Sequence, residues 1–168
     1  MRLIQEASSP RFLAWLTALT GEQALVPDPC LQGGGVHQIR SGGFLKVHAD
    51  FNWSERLQLY RRLNLLLYLN PDWQPHWGGA LELWNADMSA CITTILPEAN
   101  TMVVFTTDDR SFHGHPHPLA CPEYITRDSI ALYYYSPLRP AAHWAARRKI
   151  TDYRPIPGDT FKPGKPEP

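Results

Sequence analysis

An excess of positive or negative charge is missing from this chain. Its 168 residues carry 16 Lys+Arg and 16 Asp+Glu, for a formal net charge of zero. No broad field exists to hold nucleic acid or an anionic membrane surface, so neither partner is expected. Long apolar runs are also missing. The longest, such as "LNLLLYL" at 63–69, falls far short of the roughly 20 residues needed to span a bilayer. Cysteine is sparse: Cys30, Cys91 and Cys121 make an odd count at wide spacing, with no zinc motif and no disulfide framework, although one bridge stays open. The opening "MRLIQEASSPRF" has no apolar signal-peptide core. A reducing cytoplasm is the expected location. Disorder is excluded for the bulk of the chain by a hydrophobic content of 43%.

What is present reads as strand. "PRFLAWLTAL" at 10–19 is an early helix, with Ser8 or Ser9 as cap, Pro10 in the first turn and Gly21 as the stop. "GVHQIR" and "FLKVHAD" read as two strands around a hairpin-like turn at Ser41-Gly42-Gly43. "SERLQLYRR" at 54–62 reads as a short helix or helical turn capped by Ser54. "RLNLLLYLN", "ALELWN", "ITTILP", "TMVVFTT" and "SIALYYYS" read as further strands, with a His-rich loop before the last. Many short strands and one early helix predict an antiparallel sandwich or barrel, with the jelly roll as first candidate. The single domain is expected over 1–140. Residues 141–168 form a C-terminal extension, and 155–168 a mobile tail.

Chemistry concentrates at three places. His48 and Asp50 stand two apart on a strand, so both project to one side. On the dipeptide alone, a surface polar pair also fits. In "SFHGHPHPL", His113, His115 and His117 alternate. Two histidines and a carboxylate are the ligand set of a facial-triad non-haem Fe(II) site, which leaves the opposite positions open. Arg127 and Ser129 share a strand face, where a guanidinium fork beside a hydroxyl suits a carboxylate. Asn64 and Tyr68 lie on the mixed face of "RLNLLLYLN", which either lines a pocket or meets solvent.

The order H-x-D, distal His and R-x-S resembles the 2-oxoglutarate- and Fe(II)-dependent oxygenases. The stretches "GGFLKVHADFN", "RRLNLLLYLN", "GGALELW", "SFHGHP" and "RDSIALYYYS" are similar to the prolyl-4-hydroxylase-like branch. The resemblance covers roughly residues 10 to 138. It implies a double-stranded β-helix (jelly roll) with one or two flanking helices. It implies Fe(II) on His48, Asp50 and His113, with His115 as the rival distal ligand. It implies 2-oxoglutarate anchored by Arg127 and Ser129 with Asn64 facing it, and it adds ascorbate as a candidate cofactor. Relatives often carry a Tyr where this chain has His37 and Gln38, which puts cosubstrate contacts there in doubt. An intact Asp50 disfavours halogenation. The implied reaction is hydroxylation of a C–H bond in a peptidyl or small amino-acid-like substrate, with succinate and CO2 as co-products. Two other classes stay open: a cupin-like metal-binding module, and a metal-dependent hydrolase or isomerase. Trp53, Trp73, His76, Trp77 and Trp84 either form a substrate rim or pack the core, and "DWQPHW" is the candidate lid. Arg61 and Arg62 read as a solvated pair. Substrate identity and oligomeric state are not encoded in any motif.

Overall fold

A computed structural model of the protein describes residues 2–139 and 147–159. Two helices come first, α1 (Arg2–Ala7) and α2 (Pro10–Thr20). The strands are β1 (Val26–Pro27), β2 (Gly35–Arg40), β3 (Leu45–Ala49), β4 (Trp53–Ser54), β5 (Leu59–Tyr68), β6 (Leu81–Trp84), β7 (Cys91–Ile95), β8 (Met102–Thr106), β9 (His113–His115), β10 (Thr126–Ser136) and β11 (Asp152–Tyr153). They form two antiparallel sheets. The larger runs β1-β10-β5-β4, with β2 also on β10 and β8 also on β5; the smaller runs β11-β3-β9-β6-β7. The chain passes back and forth between the two sheets, which is the expected jelly roll.

Helix α2 starts where Ser9 Oγ accepts the Phe12 N–H at 3.2 Å and stops at Gly21, whose φ of 76° lets its N–H reach Thr17 O at 2.9 Å. Its buried stripe and α1 cover the outer face of the larger sheet. Leu16 and Ala7 pack there on Leu63, Leu65, Leu132 and Tyr134. Truncating a fully buried leucine such as Leu16 to Ala costs about 2–5 kcal/mol. The opposite faces of β5 and β10 turn toward the smaller sheet. Tyr68, Leu81 and Val103 cluster in this inner space between the sheets.

Two expectations are corrected and one is narrowed. Ser41-Gly42-Gly43 does not close a hairpin, because β2 pairs with β10 while β3 pairs with β9. The glycines instead turn a corner from one sheet to the other, pinned by Gly42 N–H to Leu119 O at 2.8 Å and Leu119 N–H to Gly43 O at 3.0 Å. Of the short helix or helical turn expected over 54–62, the turn forms. Ser54 caps one turn, ended by Gln58 at φ 55°, and β5 begins at Leu59. Pairing of Tyr60 with Trp53 and Ser136 outweighs a helix too short to recover its nucleation cost. The His-rich loop contains a strand, β9, hydrogen-bonded on both sides. The C-terminal segment 147–159 returns to the smaller sheet, where β11 pairs with β3 and sets Tyr153 opposite His48. Of the expected mobile tail, residues 160–168 lie outside the described residues, as do 140–146 of the extension. All three cysteines are free.

Candidate active site

The site grows from a register. His48 on β3 pairs directly with His113 on β9, and their ring centroids are 4.4 Å apart. Close approach of the strands depends on Gly114. A Cβ there would sit 2.8 Å from Leu45 O and 2.9 Å from Val47 Cα, both backbone atoms that cannot step aside. Asp50 follows β3 on the same face as His48. The ligand atoms of His48, Asp50 and His113 all lie within 4.8 Å of one another, and all three residues are buried. His115 is buried but stands outside this group, and His117 is exposed.

Hydrogen bonds orient the donors. His48 Nδ1 meets Lys46 O at 2.8 Å and His113 Nδ1 meets Ser111 O at 2.9 Å. Each Nδ1 therefore carries the proton, and each Nε2 is left as a lone-pair donor aimed at Asp50, at 3.7 Å for His48 and 3.4 Å for His113. Burial holds His48 below its ordinary pKa and brings His113 down to about 4. Burial alone would raise Asp50. The Arg61 guanidinium, both imidazoles and the Asn64 amide outweigh it and hold the carboxyl below its usual range. Two neutral imidazoles and one carboxylate are thus ready for a divalent cation.

Arg61 is neither solvated nor a surface greeter: it is 1% exposed. Its Nη2 donates to Asp50 Oδ2 at 2.9 Å, and both Nε and Nη2 donate to Asn64 Oδ1. The guanidinium stacks 3.5 Å above the Tyr133 ring. Strict alternation would send Arg61 outward with Leu63. The β5–β10 pairing instead skips Arg62, setting Tyr134 against Leu63 and Tyr135 against Arg61. This irregularity reverses the parity of the strand and turns Arg61 inward. Asn64, expected to face the cosubstrate, donates from Nδ2 to Asp50 Oδ2 at 2.7 Å and accepts from Arg61 at Oδ1. It thereby supports the carboxylate.

At the other end of the inner space, Arg127 is 4% exposed. Its Nε donates to Gly79 O at 2.7 Å and its Nη2 to Tyr68 Oη at 3.3 Å. A Cβ on Gly79 would lie 3.1 Å from Arg127 Cδ, so the backbone before β6 cradles this side chain. No carboxylate among the described residues forms an ion pair with Arg127. Ser129, two residues on, is buried on the same face. Of the two readings of the tryptophans, rim or core, Trp73, Trp77 and Trp84 take the core. Trp73 and Trp77 pack edge-on at 5.3 Å in a cluster with Leu119 and Cys121, and Trp84 packs behind the smaller sheet near Val47 and Phe112.

A sequence profile described as the 2OG-Fe(II) oxygenase superfamily matches residues 34–135, well over half of the chain. The chain belongs to this oxygenase superfamily. A mouse protein, Prolyl 3-hydroxylase OGFOD1, is 32% identical over 81 residues, which is 46% of this chain and 14% of that protein. A tRNA(Ile)-lysidine synthase of Xylella fastidiosa is 36% identical over 78 residues, 42% of this chain and 15% of that one. The chain thus spans about one seventh of the curated relatives it matches. A crystal structure of prolyl 4-hydroxylases from Phytophthora capsici superposes with a TM-score of 0.57 at 20% identity, covering 80% of this chain and 42% of that chain, a likeness of fold.

The donor set fits the family's Fe(II): two converging Nε2 atoms and one carboxylate, with Arg61 and Asn64 bonded to its Oδ2. A buried guanidinium without an anion fits 2-oxoglutarate. Three residues bonded to the candidate site residues were not assigned a place there from the sequence. Tyr68 needed its neighbour Arg127 to be seen. Arg61 needed the irregular register. Arg148 lies beyond the matched region, yet its Nη2 donates to Asp50 O at 2.7 Å and its backbone N–H to Asn52 Oδ1 at 2.7 Å. The basic run at 147–149 was its only sequence signal.

Proposed function

We propose that this protein is an Fe(II)- and 2-oxoglutarate-dependent dioxygenase that hydroxylates a C–H bond of a peptidyl or small amino-acid-like substrate. His48, Asp50 and His113 would hold the metal, and Arg127 with Tyr68 and Ser129 the far carboxylate of the cosubstrate. The observation that carries this reading is the pairing, in one inner space, of a neutral-His and anionic-Asp cluster with a buried arginine that lacks an anion. Bound there, Fe(II) with 2-oxoglutarate supplies dioxygen activation coupled to loss of CO2 and formation of succinate.

The chain's own residues prepare that chemistry. Lys46 O and Ser111 O keep the Nδ1 protons in place, so both Nε2 lone pairs stay available near neutral pH. Arg61 and Asn64 hold the Asp50 carboxylate in one rotamer, which spares the metal the cost of ordering it. Burial of all three ligands limits bulk water around the reacting centre. A cupin-like module or a hydrolase explains the metal ligands but gives the buried Arg127 no purpose. A peptidyl substrate is supported by the name of the mouse relative, a prolyl hydroxylase.

The test is Fe(II)-dependent conversion of 2-oxoglutarate to succinate, screened with proline-containing peptides and free amino acids, with the oxidised product read by mass spectrometry. Turnover is expected in the wild type and absent in Asp50→Ala. A metal-loaded chain that does not bind 2-oxoglutarate refutes the reading.

A further inference from the structure

His115 is 3% exposed, and neither Nδ1 nor Nε2 has a hydrogen-bond partner. The other two site imidazoles are each tied down through Nδ1, so His115 stands apart. A neutral imidazole carries one donor and one acceptor, and a buried ring with both idle needs an explanation. Its place supplies one. His115 follows His113 by two on β9, so its ring enters the same inner space. After burial itself, the influences on this ring are the charges of Arg127 and then His48. Arg127 is the other group there that lacks a counterpart, a buried cation with no carboxylate among the described residues.

One ligand satisfies both orphans. We infer that His115 is a second anchor for the 2-oxo dicarboxylate, donating a ring N–H to the carboxylate oxygen that Arg127 binds. The contact makes the pocket selective for 2-oxo acids that carry a far carboxylate. This rests on the dioxygenase reading and adds to it a residue that was otherwise a rival metal ligand. His115 lies outside the His48, Asp50 and His113 group, so its imidazole is free to serve the cosubstrate.

The experiment is an anaerobic titration of the full chain loaded with Fe(II), following the visible charge-transfer absorption of a chelated 2-oxo acid, with calorimetry on the Mn(II) form as a second readout. Wild type, His115→Val and His115→Gln are each titrated with 2-oxoglutarate and with 2-oxobutyrate, which has no far carboxylate. Loss of a hydrogen bond to a charged group should weaken 2-oxoglutarate about tenfold to a hundredfold in His115→Val. Gln should retain most of the affinity, because it keeps a donor. Metal affinity and 2-oxobutyrate affinity should stay at wild-type values in both variants, which also shows that the site is intact. Equal 2-oxoglutarate affinity in wild type and His115→Val overturns the inference and leaves a ring satisfied by water. Loss of metal in both variants overturns it in favour of a ligand role. If the wild type binds 2-oxobutyrate but not 2-oxoglutarate, the dioxygenase reading falls, and the inference with it.

Discussion

Replacing Arg61 with Met tests how the metal site is held together. The side chains are similar in length, so the change removes the charge and its hydrogen bonds while filling much of the space. Arg61 is 1% exposed and donates once to Asp50 Oδ2 and twice to Asn64 Oδ1. Without it, the Asp50 carboxylate keeps Asn64 as its side-chain donor but loses its formal cation. Breaking a buried pair in this way costs about 3–5 kcal/mol, because the remaining charge is uncompensated. For a domain of this size that is a fall of about 6–20 °C in Tm. A divalent cation should restore part of the loss, since it becomes the only positive charge on the carboxylate. The increase in Tm on adding Mn(II) should therefore be larger in Arg61→Met than in wild type. Adding Asp50→Asn to Arg61→Met should recover stability in the metal-free protein, giving a coupling energy in a double-mutant cycle. Urea denaturation and thermal scans, each with and without Mn(II), measure all of these. A metal-free Arg61→Met protein within about 1 kcal/mol of wild type would refute the reasoning, since that is the value of an exposed pair.

Three further outcomes are expected. Arg127→Ala should raise the 2-oxoglutarate concentration needed for saturation by roughly 30-fold to several-thousand-fold while metal affinity holds, and Arg127→Lys should restore part of it; unchanged saturation would place the anchor elsewhere. Arg148→Ala frees the loop after β3 by removing the bond to Asp50 O, and should weaken Mn(II) binding by about tenfold, read by titration, with an unchanged Kd as the contrary result. Stability of the metal-free protein should fall as pH drops below about 6.5: the unfolded chain takes up protons there that His113 refuses until about pH 4, His115 until about pH 3, and His48 to a lowered value as well. Three such protons give a slope of up to about 4 kcal/mol per pH unit, and a flat denaturation profile between pH 7 and 5 would contradict the burial of these rings.

Alternation along the strands was enough to read much of this architecture from the residues. It set His48 with Asp50, Arg127 with Ser129, and Leu63 with Leu65 on their faces, because period 2 is a local property of an extended chain. The ends of α2 were legible for the same local reason, since Ser9 and Gly21 act on backbone groups a few residues away. Sheet membership was not legible. Whether β2 pairs with β3 or with β10 depends on partners about ninety residues off, and a two-glycine turn serves a hairpin and a corner equally well. The inward turn of Arg61 was also hidden, because it comes from a register shift between β5 and β10 that neither strand encodes alone. The tryptophans show the same limit: rim and core want the same residue types, and only the packing of Trp73 on Trp77, Leu119 and Cys121 decided for the core. By itself the sequence marked the candidate groups His48, Asp50, His113 and Arg127 and, where a strand is regular, the face each takes. The tertiary structure alone decided which of them meet: the pairing of His48 with His113, the bond from Arg61 to Asp50 and the return of β11 to β3 are contacts whose geometry exists only once the strands have paired and the two sheets have packed.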